Sequence, residues 1–400
     1  MMTNKMDVAT SAAIPPTVEK FETARVLTLG AAHAVHDMYA GFLAPLLPDF
    51  IKNLALSNAQ AGLLEVFLRA PSLLQPYFGY LADHISLRYF VILAPTFTAL
   101  GMSLLGVAPT YAMLALFLLV AGISSASIHT VAPVMVGRLG HARLGRAMGY
   151  WMVGGEVGRV VGPLVVAAAV SAFGLAGLPW LTLGGVLASV LLFVLLRDVS
   201  GRPPGTRAPL PWRAALRSMG PFMALMGGMI IARSFMSAAL TTFLPTFLRS
   251  EGADLWLSSS ALAVFEAAGV GGTLLGGALS DRLGRQRILW ISWIVTPLLM
   301  FVFLAAGATW RFPLLLALGF MALSITPVLM ALVQESFPQN RALANGFYMA
   351  LSFVLRSLVT VVVGALADWL GLRGAFTLSA GLALLGAPLL FWLPHHQAAD

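Results

Sequence analysis

Gly277-Ala278-Leu279-Ser280-Asp281-Arg282-Leu283-Gly284-Arg285 has an earlier counterpart in Gly79-Tyr80-Leu81-Ala82-Asp83-His84, which leads through Arg88, 198 residues upstream. Both copies are short polar loops between two hydrophobic runs, with a glycine four residues before the aspartate and basic residues after it. The repetition extends outward from the loop. Ala147-Met148-Gly149-Tyr150-Trp151-Met152 returns as Ala344-Asn345-Gly346-Phe347-Tyr348-Met349, displaced by 197. The stretch from Phe42 to Phe50 has its counterpart in Thr241 to Phe247, with Pro48 matching Pro245. A near-constant displacement over several runs of a 400-residue chain marks an internal duplication into two halves.

Composition says what the halves are made of. The chain is 59% hydrophobic and 10% charged, with a mean hydropathy of +0.87. A soluble domain carries about 25% charged residues, so this chain cannot cover a water-facing surface. Its apolar runs recur at about 20 residues, enough to cross a hydrocarbon core of roughly 30 Å. Gly, Pro and charge clusters cut the sequence into twelve spans. The first six lie near 22–51, 58–82, 87–107, 110–136, 143–171 and 175–196. The second six lie near 219–248, 258–281, 286–307, 312–335, 341–369 and 373–393. The expected fold is an all-α membrane protein with twelve transmembrane helices in two pseudo-symmetric six-helix bundles. Parallel repeats of this kind are related by an axis along the membrane normal. The bundles occupy 22–196 and 219–393, joined by a Gly-, Pro- and Arg-rich linker over 197–218. Disordered cytoplasmic tails are expected at 1–21 and 394–400. Residues 1–20 lack the short apolar core and cleavage site of a signal peptide.

The net charge of +8 comes mostly from arginine, 21 of the 24 basic residues. Its placement explains it without nucleic acid. With both termini cytoplasmic, sixteen Lys and Arg fall on the inner side and four (Lys52, Arg249, Arg311, Arg373) on the outer. Cytoplasmic loops carry the excess of basic residues, so both ends are expected inside. There is no cysteine, which excludes thiol catalysis, disulfides and Cys-type zinc sites. No catalytic triad, phosphate-cradling loop or nucleotide site is present, so neither an enzyme nor an ATP-driven pump is expected, and no cofactor.

The duplicated loop follows the pattern G-x-L-A-D-R-x-G-R and resembles the loop signature of the major facilitator superfamily. Further stretches resemble its fosmidomycin-resistance branch, whose members are proton-driven exporters. They are Ala32-His33-Ala34-Val35-His36-Asp37-Met38-Tyr39 in the first span, Gln75-Pro76-Tyr77-Phe78-Gly79 in the second and Ser124-Ser125-Ala126-Ser127-Ile128-His129 in the fourth. Gly154-Gly155-Glu156-Val157-Gly158-Arg159 in the fifth belongs with them. The chain departs from that branch in Thr130, where a proline is common, and in His36, where an asparagine is common. The first loop also reads Ile85-Ser86-Leu87 where the second has Leu283-Gly284-Arg285.

The resemblance implies that Gly79, Asp83 and Arg88, with Gly277, Asp281, Arg282 and Arg285, form gating loops that stabilise one face of an alternating-access cycle. The alternative is that their arginines only set topology. Gly158-x-x-x-Gly162-Pro163 resembles the fifth-span motif of family antiporters, which implies export by exchange. Small residues four apart also permit plain close packing of helices.

Charges inside the spans bear on mechanism. One at bilayer depth costs at least about 2.5–3.5 kcal/mol, so it is expected to face a cavity and to have a partner. Arg159 and Arg356 are displaced by 197, as are His36 and Arg233, and Arg69 adds a cation near the middle of the second span. The planar guanidinium suits phosphate, phosphonate or carboxylate. Arg69, Arg159, Arg233 and Arg356, with His36, Tyr39 and His129, are therefore the expected substrate contacts. The competing reading pairs these arginines internally, since Glu156 and Arg159 (i, i+3) and Glu65 and Arg69 (i, i+4) share helix faces. Asp37 is the first proton-coupling candidate, then Glu156, with Glu65 and Glu266; Glu335 is expected at the interface. His33, His36 and Asp37 share a face at metal-compatible spacing, but a fourth ligand is not evident. A hydrogen-bonded polar cluster is expected there, and no metal.

These residues predict a secondary transporter in a bacterial-type inner (plasma) membrane, monomeric, whose partners are a small molecule, protons and the bilayer. The expected activity is proton-coupled export, by antiport, of a small anion such as a phosphonate antibiotic. The alternatives are a transporter of a metabolic organic anion by symport or exchange and, more remotely, a receptor or scaffold that does not transport.

Overall fold

The computed structural model describes residues 21–140, 143–199, 212–337 and 341–393. Both expected tails lie almost wholly outside these residues, as does most of the linker. Twelve spans follow one another. Span 1 is Thr23–Ala40 continued by Leu43–Asn53, and span 2 is Asn58–Arg69, a tighter turn Ala70–Leu74, then Gln75–His84. Span 3 is Arg88–Leu104, span 4 Tyr111–Gly140, span 5 Leu144–Phe173, and span 6 Leu175–Leu181 with Thr182–Leu195. Span 7 is Trp212–Ser237, a wide turn Ala238–Thr242, and Leu244–Ser250. Span 8 is Leu255–Leu283, span 9 Arg285–Ala305 and span 10 Ala308–Ser336. Spans 11 and 12 lie in one continuous stretch, Arg341–Leu385, divided at Gly371, whose φ of 72° only glycine adopts without strain. A last turn, Ala387–Trp392, completes span 12.

Among the described residues nine stretches are long and apolar enough to cross a membrane, and the last, Ala344–Trp392, holds two spans. Spans 1 and 2 complete the twelve; bends cut them into shorter pieces. Pro71 and Pro76 cause the break in span 2, since proline lacks the N–H that would continue the ladder. Span 2 starts on a capping box: Gln60 N donates to Ser57 Oγ at 3.1 Å and Ser57 N to Gln60 Oε1 at 2.9 Å. Span 7 begins at Trp212, inside the expected linker, because Ala214-Ala215-Leu216-Arg217 are strong helix formers that extend the helix beyond the apolar run.

Spans 1 and 5 touch backbone to backbone. A Cβ on Gly154, Gly158 or Gly162 would strike the carbonyls of Gly30, Ala34 and Met38. Spans 2 and 11 meet in the same way at the opposite ends from the termini, where a Cβ on Gly62 would strike Thr360 O and one on Gly364 would strike Asn58 O.

The apolar core shows how the halves sit. At the ends nearest the termini it consists of two separate clusters. One, in the first half, includes Val26, Val91, Met135 and Leu196. The other, in the second, includes Met226, Leu289, Leu329 and Leu390. At the far ends one cluster takes residues from both halves, among them Phe42, Leu46 and Leu47 with Phe243, Leu244 and Phe247. The halves are therefore joined on the far side and parted on the terminal side, leaving a cleft that opens towards the termini.

Candidate functional site

Asp37, on span 1 just before the bend at Gly41, is 7% exposed. Its carboxylate is the centre of a cluster drawn from three spans. His33, one turn earlier, places Nε2 3.4 Å from Oδ2. His129 of span 4 places Nε2 3.6 Å from Oδ1, and His36 Nε2 lies 3.9 Å from the same oxygen. Arg159 of span 5 brings NH1 to 3.8 Å from Oδ2. The same guanidinium grips Glu156 one turn earlier on span 5 and reaches, through Nε at 3.7 Å, Glu266 Oε2 on span 8. That last contact crosses from the first half to the second. A buried carboxylate needs such company, because leaving it unpaired forfeits several kcal/mol of solvation.

Each imidazole is held by its other nitrogen. His33 Nδ1 lies 2.8 Å from the carbonyl of Trp151, whose ring stacks on it at 3.9 Å between centroids. His129 Nδ1 is 2.8 Å from the carbonyl of Ser125. His36 Nδ1 is 2.8 Å from Thr98 Oγ1; Thr98 donates to Ser124 Oγ at 2.8 Å, and Ser124 to Ala94 O at 2.9 Å.

The four intramembrane arginines fall into two kinds. Those of the first half are paired: Arg69 Nε donates to Glu65 Oε1 at 2.8 Å, and Arg159 is shared among three acids. Those of the second half have neutral partners. Arg233 NH2 donates to Ala322 O at 2.7 Å and Thr326 Oγ1 at 2.9 Å, and Arg356 NH2 to Ser237 Oγ at 3.0 Å. Among the described residues neither forms an ion pair. Arg233 lines a small pocket together with Ser237, Thr241, Phe265, Trp293 and Thr296.

Two expected substrate contacts are buried inside the first half. His36 is fully buried, and Tyr39, 2% exposed, donates its hydroxyl to Leu181 O at 2.5 Å. His33 lies beside His36 and Asp37, where the sequence grouped the three, whereas the carbonyl of Trp151 was not expected in the cluster. The i, i+4 spacing of His33 and Asp37 was a legible signal; nothing in a sequence marks a carbonyl.

The loop residues lie at the terminal side. Arg285 bridges Asp281 Oδ1 at 2.5 Å and Glu335 Oε1 at 2.8 Å, tying the loop before span 9 to the end of span 10. Arg88 reaches the carbonyl of Arg197 and lies over the Tyr89 ring at 4.9 Å. Arg282 is exposed, and the side chain of Asp83 lies outside the described residues. A Cβ on Gly79 or Gly277 would meet Thr130 or Pro327 at an ordinary 3.7 Å, so packing alone does not demand glycine there.

The far side carries contacts that the sequence did not announce. Arg249 NH1 donates to Asp49 Oδ2 at 2.8 Å, linking the ends of spans 7 and 1. Asp368 of span 11 accepts from Asn58 N at 2.7 Å, Ala59 N at 2.9 Å and Asn58 Nδ2 at 2.8 Å, capping span 2 from the other half. Glu251 accepts from Arg311 at 2.7 Å and Arg373 at 2.8 Å.

The sequence profile of the Major Facilitator Superfamily matches residues 29–359. The fosmidomycin resistance protein of Escherichia coli (strain K12) is 25% identical over 382 residues, covering 93% of each chain. YfnC of Bacillus subtilis (strain 168), an MFS-type transporter, is 25% identical over 381 residues, again 93% of each. Among solved structures, a bacterial homolog of the human lysosomal transporter Spinster in an inward-facing, unoccupied conformation superimposes with a TM-score of 0.80 at 16% identity, covering 93% of this chain and 97% of that one. A D-xylose-proton symporter gives 0.70 at 16% identity over the same shares. With its duplicated halves, its twelve spans and a cleft between them, the chain belongs to the major facilitator superfamily and is a multi-pass membrane transporter, not an enzyme.

Proposed function

We propose that this protein exports a small anion in exchange for protons, and that Arg233 and Arg356 hold the anion. The observation that carries this reading is that both guanidiniums, Arg233 at its pocket and the more exposed Arg356, have only neutral hydrogen-bond partners. A cation at that depth without a counter-ion is costly, and an anionic cargo supplies the missing charge. The guanidinium fork matches the paired oxygens of a phosphonate or phosphate. The name of the E. coli relative, a fosmidomycin resistance protein, supports a phosphonate antibiotic as cargo.

In this reading the first half handles protons. Asp37, Glu156 and Glu266 share Arg159, so a proton gained or lost near Asp37 changes how tightly Arg159 holds Glu266 across the cleft. That is a direct lever on the closure of the two halves, which we take as 22–196 and 219–393. The excess of Lys and Arg on the terminal side favours cytoplasmic termini, so the cleft described here faces the cytoplasm and collects cargo there. The far-side ties, Asp49 to Arg249 and Asp368 to the start of span 2, keep the outer side shut in this state. The gating loops at Asp83 and Asp281, through Arg285 and Glu335, act on the opposite face. Gly158, Gly162 and Pro163 keep spans 1 and 5 in contact, so that Asp37 and Arg159 move as one. The working unit is a monomer in a bacterial-type inner membrane.

Equilibrium binding of labelled fosmidomycin to the purified protein tests the assignment. The wild type should bind saturably, inorganic phosphate should compete, and Arg233→Gln should weaken binding at least tenfold. An absence of saturable binding would sink the substrate assignment and leave carboxylates and sugar phosphates as the next anions to screen.

A further inference from the structure

The imidazoles around Asp37 hold a proton by geometry. A carbonyl oxygen only accepts, so His33 Nδ1, 2.8 Å from Trp151 O, must carry a hydrogen, and so must His129 Nδ1, 2.8 Å from Ser125 O. In its neutral form each ring then has a bare lone pair on Nε2. Those two Nε2 atoms are 3.1 Å apart, a hydrogen-bond distance that two lone pairs repel. His36 repeats the pattern. The single hydroxyl hydrogen of Thr98 goes to Ser124, so His36 Nδ1 donates to Thr98, and its Nε2 is left as a buried acceptor without a hydrogen-bond partner.

Resting on the proton-coupled reading above, we infer that His33 and His129 share one excess proton between their Nε2 atoms, with Asp37 as counter-ion, and that this pair is the proton-binding site of the transport cycle. The loaded pair is an imidazolium donating Nε2–H to a neutral imidazole. The carboxylate oxygens, at 3.4 Å and 3.6 Å from the two nitrogens, balance the charge. The titratable and charged groups around the pair are His36 and Asp37 from span 1, Arg69 from span 2 with its partner Glu65, and Arg159 from span 5 with its partners Glu156 and, from span 8, Glu266. On discharge the Nε2–H bond breaks, its electron pair stays on the nitrogen, and the proton passes to water in the cleft. His129, 32% exposed against 6% for His33, is the exit. Two lone pairs then face each other and the rings must part, which moves span 4 against span 1 while Trp151 still holds His33 to span 5. A divalent cation in place of the proton is disfavoured, because the Arg159 guanidinium already stands 3.8 Å from the Asp37 oxygen nearest His33.

The test needs no cargo, so its failure is separate from failure of the substrate assignment. The full chain, labelled with ¹⁵N-histidine and placed in lipid nanodiscs, should show a ¹⁵N–¹⁵N coupling across an Nε2–H···Nε2 bond between two of its seven histidines. Raising the pH should abolish it with the release of one proton per molecule. His33→Gln and His129→Gln should each remove the coupling and lower the proton count by one; the wild-type spectrum stands alone if a variant misfolds. Two neutral, uncoupled rings at every pH would overturn the proposal. So would stoichiometric zinc in the purified protein that His129→Gln releases.

Discussion

Arg159 and Arg356 are symmetry mates in the sequence, 197 residues apart, yet their surroundings differ. Arg159 is neutralised by Glu156, Asp37 and Glu266, whereas Arg356 has a serine hydroxyl. In the proposed function that asymmetry separates a proton side from a cargo side. Charged residues were legible because a charge in an apolar run is conspicuous and expensive. Their partners were not. The Trp151 carbonyl on His33 lies 118 residues away along the chain, and helical periodicity does not say that His36 and Tyr39 turn into the first half. Glu251 gives a prediction at this scale. It sits outside the spans, and the guanidiniums of Arg373 and Arg311 hold its carboxyl below the usual carboxylate range. A depressed carboxyl contributes stability above its ordinary titration range and loses it as the pH falls through the folded value. Glu251→Gln should therefore lower stability at neutral pH by about 1 kcal/mol or less, as for other partly exposed ion pairs. It should also flatten the loss of melting temperature below about pH 4, near the ordinary glutamate value. Thermal unfolding in detergent across pH measures both.

Spans 1, 2 and 7 are the elements whose form departs most from a straight helix, and all three meet at the far-side closure. In the sequence these spans read as plain apolar runs, and the bends were not anticipated. Nor were the contacts they enable, since the ties join residues roughly 200 to 310 apart: Asp49 to Arg249, and Asn58 to Asp368. Asp368 satisfies two backbone N–H groups at the start of span 2, a cap delivered from span 11 of the other half. Loss of a capping side chain costs about 0.5–2 kcal/mol, enough to shift a balanced conformational equilibrium several-fold. Asp368→Ala should therefore populate an outward-open form. Because the chain has no cysteine, spin labels placed through Lys52→Cys and Ser250→Cys report on this side alone. The distance between them should lengthen in Asp368→Ala, and an unchanged distribution would mean that the cap does not govern closure.

Across the whole molecule, duplication and span count were readable because a bilayer allows few backbone solutions and each leaves a long apolar signature. Which way the cleft opens was not. That emerges from side-chain clusters that merge on the far side and separate on the terminal side. The same layout puts the arginines proposed to hold the anion in one half and the cluster proposed to carry the proton in the other, joined by Arg159 and Glu266 across the cleft. Uphill movement of labelled fosmidomycin in proteoliposomes, driven by an imposed pH gradient, tests that division most directly. The wild type should accumulate the anion against its concentration, and Arg233→Gln and Arg356→Gln should each cut the rate at least tenfold in vesicles that still hold the gradient. Variants that transport at the wild-type rate would show that the cargo is not held by these arginines, and would contradict the account.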